Sequence, residues 1–164
     1  MKTIYLSLGS NLGEREKHIA RAVEELAAHG VRVVRQSPLY ETEPVDVREQ
    51  PWFLNCVVEG ETDLMPRQLL HVLLKIEEGQ GRKRLAPGGP RIIDMDILLY
   101  GSSVVRTPEL EVPHPRMAQR RFVLVPLNDL AAAARHPVLQ KTVAELLAET
   151  PDRSQVRVWK KQTS

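Results

Sequence analysis

The strongest constraint on the fold is the order in which apolar spacing switches between a period of two residues and one of three to four. Thr3 to Leu8 reads as a strand with Ile4, Leu6 and Leu8 on one side, and Gly9-Ser10-Asn11 turns out of it. Ile19, Ala22, Val23, Leu26 and Ala27 share a helical face, and Gly30 ends that helix. Val31, Val33 and Val34 open another strand, interrupted after Ser37 by Pro38. Tyr40 to Pro51 is polar and turn-rich, and a strand from Trp52 to Glu59 emerges from it. Pro66 suits the first turn of a second helix with the stripe Leu69, Leu70, Leu73, Leu74 and Ile76, which Gly79 and Gly81 stop. The basic, Pro- and Gly-containing loop Arg82 to Pro90 then leads into the apolar run Ile92 to Tyr100.

This β-α-β-β-α-β order predicts an α+β, ferredoxin-like mixed sheet with helices on one face. A small doubly wound α/β fold is the other arrangement it allows. Further on come an apolar segment Phe122 to Leu127, a helix from Thr142 to Ala148 and a short strand at Val156 and Val158. No composition break or repeat divides the chain, so residues 1–164 are read as one domain with the segment after about 130 at its periphery.

A chain of 164 residues has enough length for its own core without a disulfide or structural metal. Cys56 is the only cysteine, which excludes an internal disulfide and a cysteine-rich metal site. The 23 Lys and Arg against 21 Asp and Glu leave +2, too little for a general polyanion-binding argument. No leader pattern is read at the start, and no apolar run approaches the roughly 20 residues a membrane span needs. The expectation is a soluble, cytoplasmic monomer that binds neither membrane nor nucleic acid.

The most informative short stretch is Arg91-Ile92-Ile93-Asp94-Met95-Asp96. On a strand, Asp94 and Asp96 share a face, so two carboxylates can converge on a divalent cation, and oxygen ligands of this kind suit Mg²⁺ with phosphates and waters. The same pair would also suit a solvated strand edge. Arg82, Lys83, Arg84 and Arg91 flank it, and guanidinium groups make directional contacts with phosphate oxygens. His114, between Pro113 and Pro115, and Arg120 are further phosphate donors, with surface roles equally open. Gly9-Ser10-Asn11-Leu12-Gly13 matches neither a P-loop nor a dinucleotide fingerprint and reads as strand-to-helix punctuation. Thr42 and Asn55 are candidates to read the edge of a heterocycle, with Tyr40, Trp52, Phe53 or Phe122 stacking on its face; ordinary core packing is the alternative for each aromatic.

Taken in order, Leu8 through Gly13, Tyr40 through Asn55, Glu77 through Arg84, Gly89-Pro90-Arg91 through Asp96 and Val112-Pro113-His114 through Phe122 resemble the 6-hydroxymethyl-7,8-dihydropterin pyrophosphokinases of folate biosynthesis. G-P-R-x-x-D-x-D followed by V-P-H is the most specific part. The resemblance implies an ATP- and Mg²⁺-dependent enzyme whose substrates are ATP and 6-hydroxymethyl-7,8-dihydropterin. It makes Asp94 and Asp96 the ligands of two Mg²⁺ ions, and places Arg82 and Arg84 on a mobile catalytic loop. Arg91, His114 and Arg120 become ATP phosphate contacts, with Lys75 and Glu77 on the nucleotide side. Thr42, Pro44, Val45 and Asn55 become the pterin recognition shell, enclosed by Phe53 and Phe122. Phe53 stands where some relatives carry tyrosine, and Leu85 to Gly89 lacks a tryptophan found in well-known ones. A noncatalytic ferredoxin-like module that binds nucleic acid is the competing reading, resting on basic residues interspersed with aromatics.

Overall fold

The computed structural model describes residues 1–45, 49–81 and 91–160. Its main sheet is built from β1 (Lys2–Ser10), β2 (Val31–Gln36), β3 (Tyr40–Thr42), β4 (Phe53–Thr62), β5 (Asp94–Tyr100) and β8 (Val156–Val158). The helices are α1 (Arg15–Ala28), α2 (Pro66–Gly79), α3 (Arg121–Ala131) and α4 (Val143–Glu149), while β6 (Val105–Arg106) and β7 (Glu111–Val112) form a separate ribbon. The sheet runs β5-β1-β4-β3-β8, and β2 lies beside β4 on the same edge as β3. The elements β1-α1-β2-β4-α2-β5 therefore give the ferredoxin-like arrangement with β1 and β4 central. Every ladder in it is antiparallel, and the strands are in mixed order as expected.

Alternation along the strands decides what covers each face. Ile4, Leu6 and Leu8 of β1, Leu54, Cys56 and Val58 of β4, and Met95 and Ile97 of β5 point one way, against Ile19, Ala22 and Leu26 of α1 and Leu69, Leu73 and Ile76 of α2. Leu74, placed in the apolar stripe from sequence, is 40% exposed; Glu77, one residue past Ile76, is buried instead, because its carboxylate accepts the Met95 N–H at 2.8 Å.

The other face also carries apolar residues, Val57 together with Leu98 and Leu99, and leaving them in water would cost several kcal/mol in all, at roughly 1.5–3 kcal/mol for each large side chain. The ladder between β1 and β5 shifts register between Tyr5 and Leu6, which leaves Leu98 as an extra residue and turns both leucines to this side. Met117, Val123 and Leu127 from the α3 region and Val143 at the start of α4 cover them. Helices thus flank both faces, which corrects the one-face expectation. Thr142 starts α4 with a reciprocal cap, its hydroxyl accepting from Glu145 N and the Glu145 carboxylate accepting from Thr142 N. The segment beyond residue 130, expected at the periphery, supplies both α4 and a sheet strand. No helix among the described residues is long and apolar enough to cross a membrane.

Cys56 sits fully buried in β4, and burial pushes its thiol up to about 12. Thiolate is the reactive form, so native protein at pH 8 should resist a disulfide reagent for hours and release one equivalent only on denaturation. Rapid native labelling, followed by absorbance, would contradict this burial.

Candidate active site

The second sheet face is apolar only at one end. Toward the other, the same alternation brings up Ser7 and Gly9 of β1, Phe53 and Asn55 of β4, Thr42 of β3, and Asp94 and Asp96 of β5. These residues floor an open cleft that is also lined by Glu43, Pro44, Val45 and Gln50 and by Arg91, Arg120 and Phe122. The sheet face that α3 and α4 leave uncovered is therefore the polar one.

Asn55 anchors one end. It is 4% exposed and donates from Nδ2 to Thr42 Oγ1 at 2.6 Å, so each side chain orients the other. Gly9 lies opposite Asn55 in the ladder, and a Cβ there would stand 2.3 Å from Asn55 Oδ1 and 3.6 Å from Phe53 Cδ1. The glycine is required by space rather than by its backbone angles. Phe122 rises beside this end with the Arg120 guanidinium 5.4 Å from its ring centroid.

At the other end, Asp96 pairs with Ser7 and Asp94 with Gly9 across the ladder, while Met95 between them is buried in the helix-side core. The Arg91 guanidinium approaches Asp94 at 3.9 Å. Asn11, 2% exposed, ties the two ends together. Its Nδ2 donates to Gln50 Oε1 at 2.9 Å and to the Pro51 carbonyl at 3.0 Å, its Oδ1 accepts the Arg91 N–H at 2.7 Å, and its own N–H donates to the Arg91 carbonyl.

His114 lies outside the cleft lining, in a neighbouring groove that also includes Arg106 and His136. Burial first, and then the positive charge of Arg120, push its pKa down to about 4, with Asp94 opposing, so the ring is neutral at pH 7 and stands within electrostatic reach of the cleft. Its Nδ1 accepts the Arg116 N–H at 3.2 Å, which leaves the ring proton on Nε2 as a donor.

Thr42, Pro44, Val45, Phe53, Asn55, Arg91, Asp94, Asp96, Arg120 and Phe122 thus meet in one cleft, as the sequence reading grouped them. Lys75 and Glu77 do not line it: Lys75 is exposed on α2, and Glu77 is committed beneath β5. Arg82 and Arg84, with the Leu85 to Gly89 loop, lie outside the described residues. Of the residues read from sequence as punctuation, Gly9 lines the cleft and Asn11 braces the segments on either side of it. The odd-numbered alternation Tyr5, Ser7, Gly9 was the available signal for the first of them.

Residues 5–132 match the family described as 7,8-dihydro-6-hydroxymethylpterin-pyrophosphokinase (HPPK). The chain belongs to this family. It is 41% identical over 160 residues to the 2-amino-4-hydroxy-6-hydroxymethyldihydropteridine pyrophosphokinase of Bacillus subtilis, covering 97% of this chain and 91% of that protein. The protein of the same name from Methylorubrum extorquens is 46% identical over 132 residues, covering 80% of this chain and 84% of that one. Against the folic acid synthesis protein fol1 of Pneumocystis carinii the identity is 41%, but the chain spans only 20% of that relative's length. Among solved structures, wild-type Plasmodium falciparum HPPK-DHPS with pteroate superposes at a TM-score of 0.71, covering 90% of this chain and 42% of that one; at 18% identity this similarity shows the fold.

Proposed function

We propose that the chain's reaction, transfer of pyrophosphate from ATP to the hydroxyl of 6-hydroxymethyl-7,8-dihydropterin, takes place in this cleft. The supporting observation is that one cavity joins an aromatic and amide end to an arginine and carboxylate end. In this reading Phe53 and Phe122 enclose the flat heterocycle while Thr42 and Asn55 read its donor and acceptor edge. Arg91 and Arg120 hold the triphosphate, with the neutral His114 Nε2–H as a further donor. The pterin hydroxyl oxygen bonds to the β-phosphorus as the bond from that phosphorus to the α-phosphate oxygen breaks, and AMP leaves. Holding the two substrates in line in one walled cleft supplies most of the advantage, and the arginines offset charge that grows on the transferred group.

Asp94 and Asp96 are two hard oxygen donors on one strand face, opening toward the phosphate end. Among the described residues no cluster of three or more His, Cys, Asp or Glu completes a protein cage. Such a donor set fits Mg²⁺, which keeps waters and takes substrate phosphates as its remaining ligands. Bound there, Mg²⁺ supplies neutralisation of phosphate charge. The carboxylates fix where that charge sits relative to the pterin.

Purified protein with Mg²⁺, ATP and 6-hydroxymethyl-7,8-dihydropterin should form AMP and pyrophosphorylated pterin in equal amounts, resolved by chromatography and mass spectrometry. ADP with a monophosphorylated pterin would overturn the reading.

A further inference from the structure

The family match ends at residue 132, yet three walls of the cleft are held from beyond it. We propose that residues 152–157 act as a strap that sets the pterin end of the cleft, with Asp152 and Arg157 as positioning residues for that substrate. This rests on the assignment of the Thr42, Asn55 and Phe122 end to pterin.

The first wall is the start of α3. Its own N-cap residue, Arg120, makes no side-chain cap, and the Asp152 carboxylate accepts the Arg121 N–H instead, at 2.8 Å across 31 residues of sequence. Arg121 Nε adds a bond to the Ser154 carbonyl at 3.1 Å. Arg121 lies between Arg120 and Phe122, so fixing it fixes the residues on either side that face the cleft. The Asp152 carboxylate is held in turn by the Ser154 N–H at 2.9 Å and the Ser154 hydroxyl.

The second wall is the segment after β3. Thr42 pairs with Val156 in the sheet, and Glu43 N donates to the Gln155 carbonyl while Glu43 Oε1 accepts the Gln155 N–H at 3.0 Å. Without β8, Thr42 would lie on a three-residue edge strand paired only to β4. The third wall enters through Trp52, next to Phe53. The Arg157 guanidinium stacks 4.6 Å from the Trp52 ring and bonds Glu41 Oε1 at 2.7 Å. The same Glu41 carboxylate pairs with Arg15 at 3.0 Å, and Arg15 also donates to the Trp52 carbonyl. Strand β5, which carries Asp94 and Asp96, lies at the far edge of the sheet from β8. Through β8 and Arg157 the strap holds Thr42, Glu41 and Trp52 at the pterin end, while through Asp152 it also holds Arg120 at the phosphate end.

The test is steady-state kinetics of Asp152→Ala, Asp152→Asn and Arg157→Ala with both substrates varied, alongside Asn55→Ala as a marker of the pterin site. Asp152→Ala should raise KM for the pterin about tenfold, the size of one lost helix cap, with a smaller rise in KM for ATP through Arg120. Asp152→Asn keeps an acceptor for the Arg121 N–H and should recover most of the loss. Arg157→Ala, acting through Trp52 and Glu41, should raise pterin KM in the same direction and leave KM for ATP within about twofold. Unchanged pterin KM in both alanine variants, or equal shifts in the two KM values, overturns the strap. If Asn55→Ala also leaves pterin KM unchanged, the pterin assignment itself has failed; if Asn55→Ala raises it and the strap variants do not, only the strap has.

Discussion

Alanine at Asp94 or at Asp96 is expected to lower kcat roughly 10³-fold, because in the proposed reaction each is a carboxylate that would hold Mg²⁺ against the phosphates of the transferred group. Folding should barely respond. Both side chains are only half-buried, on the part of the sheet face that α3 and α4 leave uncovered, and neither belongs to an apolar cluster. Substitutions of that kind change stability by about 0.5 kcal/mol, which moves Tm by about 1–2 °C in a domain of this size. Asp94→Asn and Asp96→Asn separate charge from shape, since they keep the volume and one acceptor oxygen. They should lose nearly as much activity as the alanines and require more Mg²⁺ for what remains. Measuring kcat against Mg²⁺ concentration, with Tm from thermal unfolding, decides the matter. Turnover within tenfold of the parent protein would remove both residues from the reaction.

The parts of this fold that were legible in the sequence are those whose apolar period is long enough to be counted. Ile4, Leu6 and Leu8, then Ile19, Ala22 and Leu26, identify β1 and α1 without ambiguity, and the order of such segments up to Tyr100 specifies the ferredoxin-like core. What was not legible depends on partners far away in the chain. The three residues Tyr40 to Thr42 form a strand only because Phe53 to Asn55 and Val156 to Val158 lie on either side of them. Phe122 to Leu127 reads merely as apolar because Pro126 argues against a helix, while packing of Val123 and Leu127 onto Leu98 and Leu99 makes it one. With that helix unread, the second helical layer is not expected from the sequence.

The site divides in the same way. Asp94 and Asp96 could be seen as a pair because two residues on one strand share a face by geometry alone. Side-chain chemistry offers Thr42 and Asn55 with Phe53 or Phe122 among other aromatics, the family resemblance narrows the set, and the ladder registers explain why Thr42, Phe53 and Asn55 meet. Glu77 was legible only in part: its place near the nucleotide motif is in the sequence, whereas the bond it accepts from the Met95 N–H under β5 depends on the fold. Asn11 could be weighed only once Gln50, Pro51 and Arg91, about 40 and 80 positions away, were seen to converge on it.

Gly9→Ala is expected to damage pterin binding although alanine ordinarily suits a strand better than glycine. The usual preference is about 0.5–1 kcal/mol in favour of alanine. Against it stands a methyl group 2.3 Å from Asn55 Oδ1, a separation that two unbonded heavy atoms do not tolerate. Something has to move, and the backbone of β1 is held by ladders on both sides. The Asn55 carboxamide is the element that yields, but it is 4% exposed and hydrogen-bonded to Thr42, itself 1% exposed. Rotating it breaks a buried hydrogen bond worth about 1–3 kcal/mol once its groups are left unpaired, and it withdraws the amide from the heterocycle. KM for the pterin should therefore rise roughly 10- to 100-fold while KM for ATP stays within about threefold. The steric cause has its own signature in a double-mutant cycle. In an Asn55→Ala background the offending oxygen is gone, so adding Gly9→Ala should cost little more, and the two effects should be strongly non-additive. Additive losses would mean that Gly9 acts on the cleft by some route other than the space it leaves for Asn55.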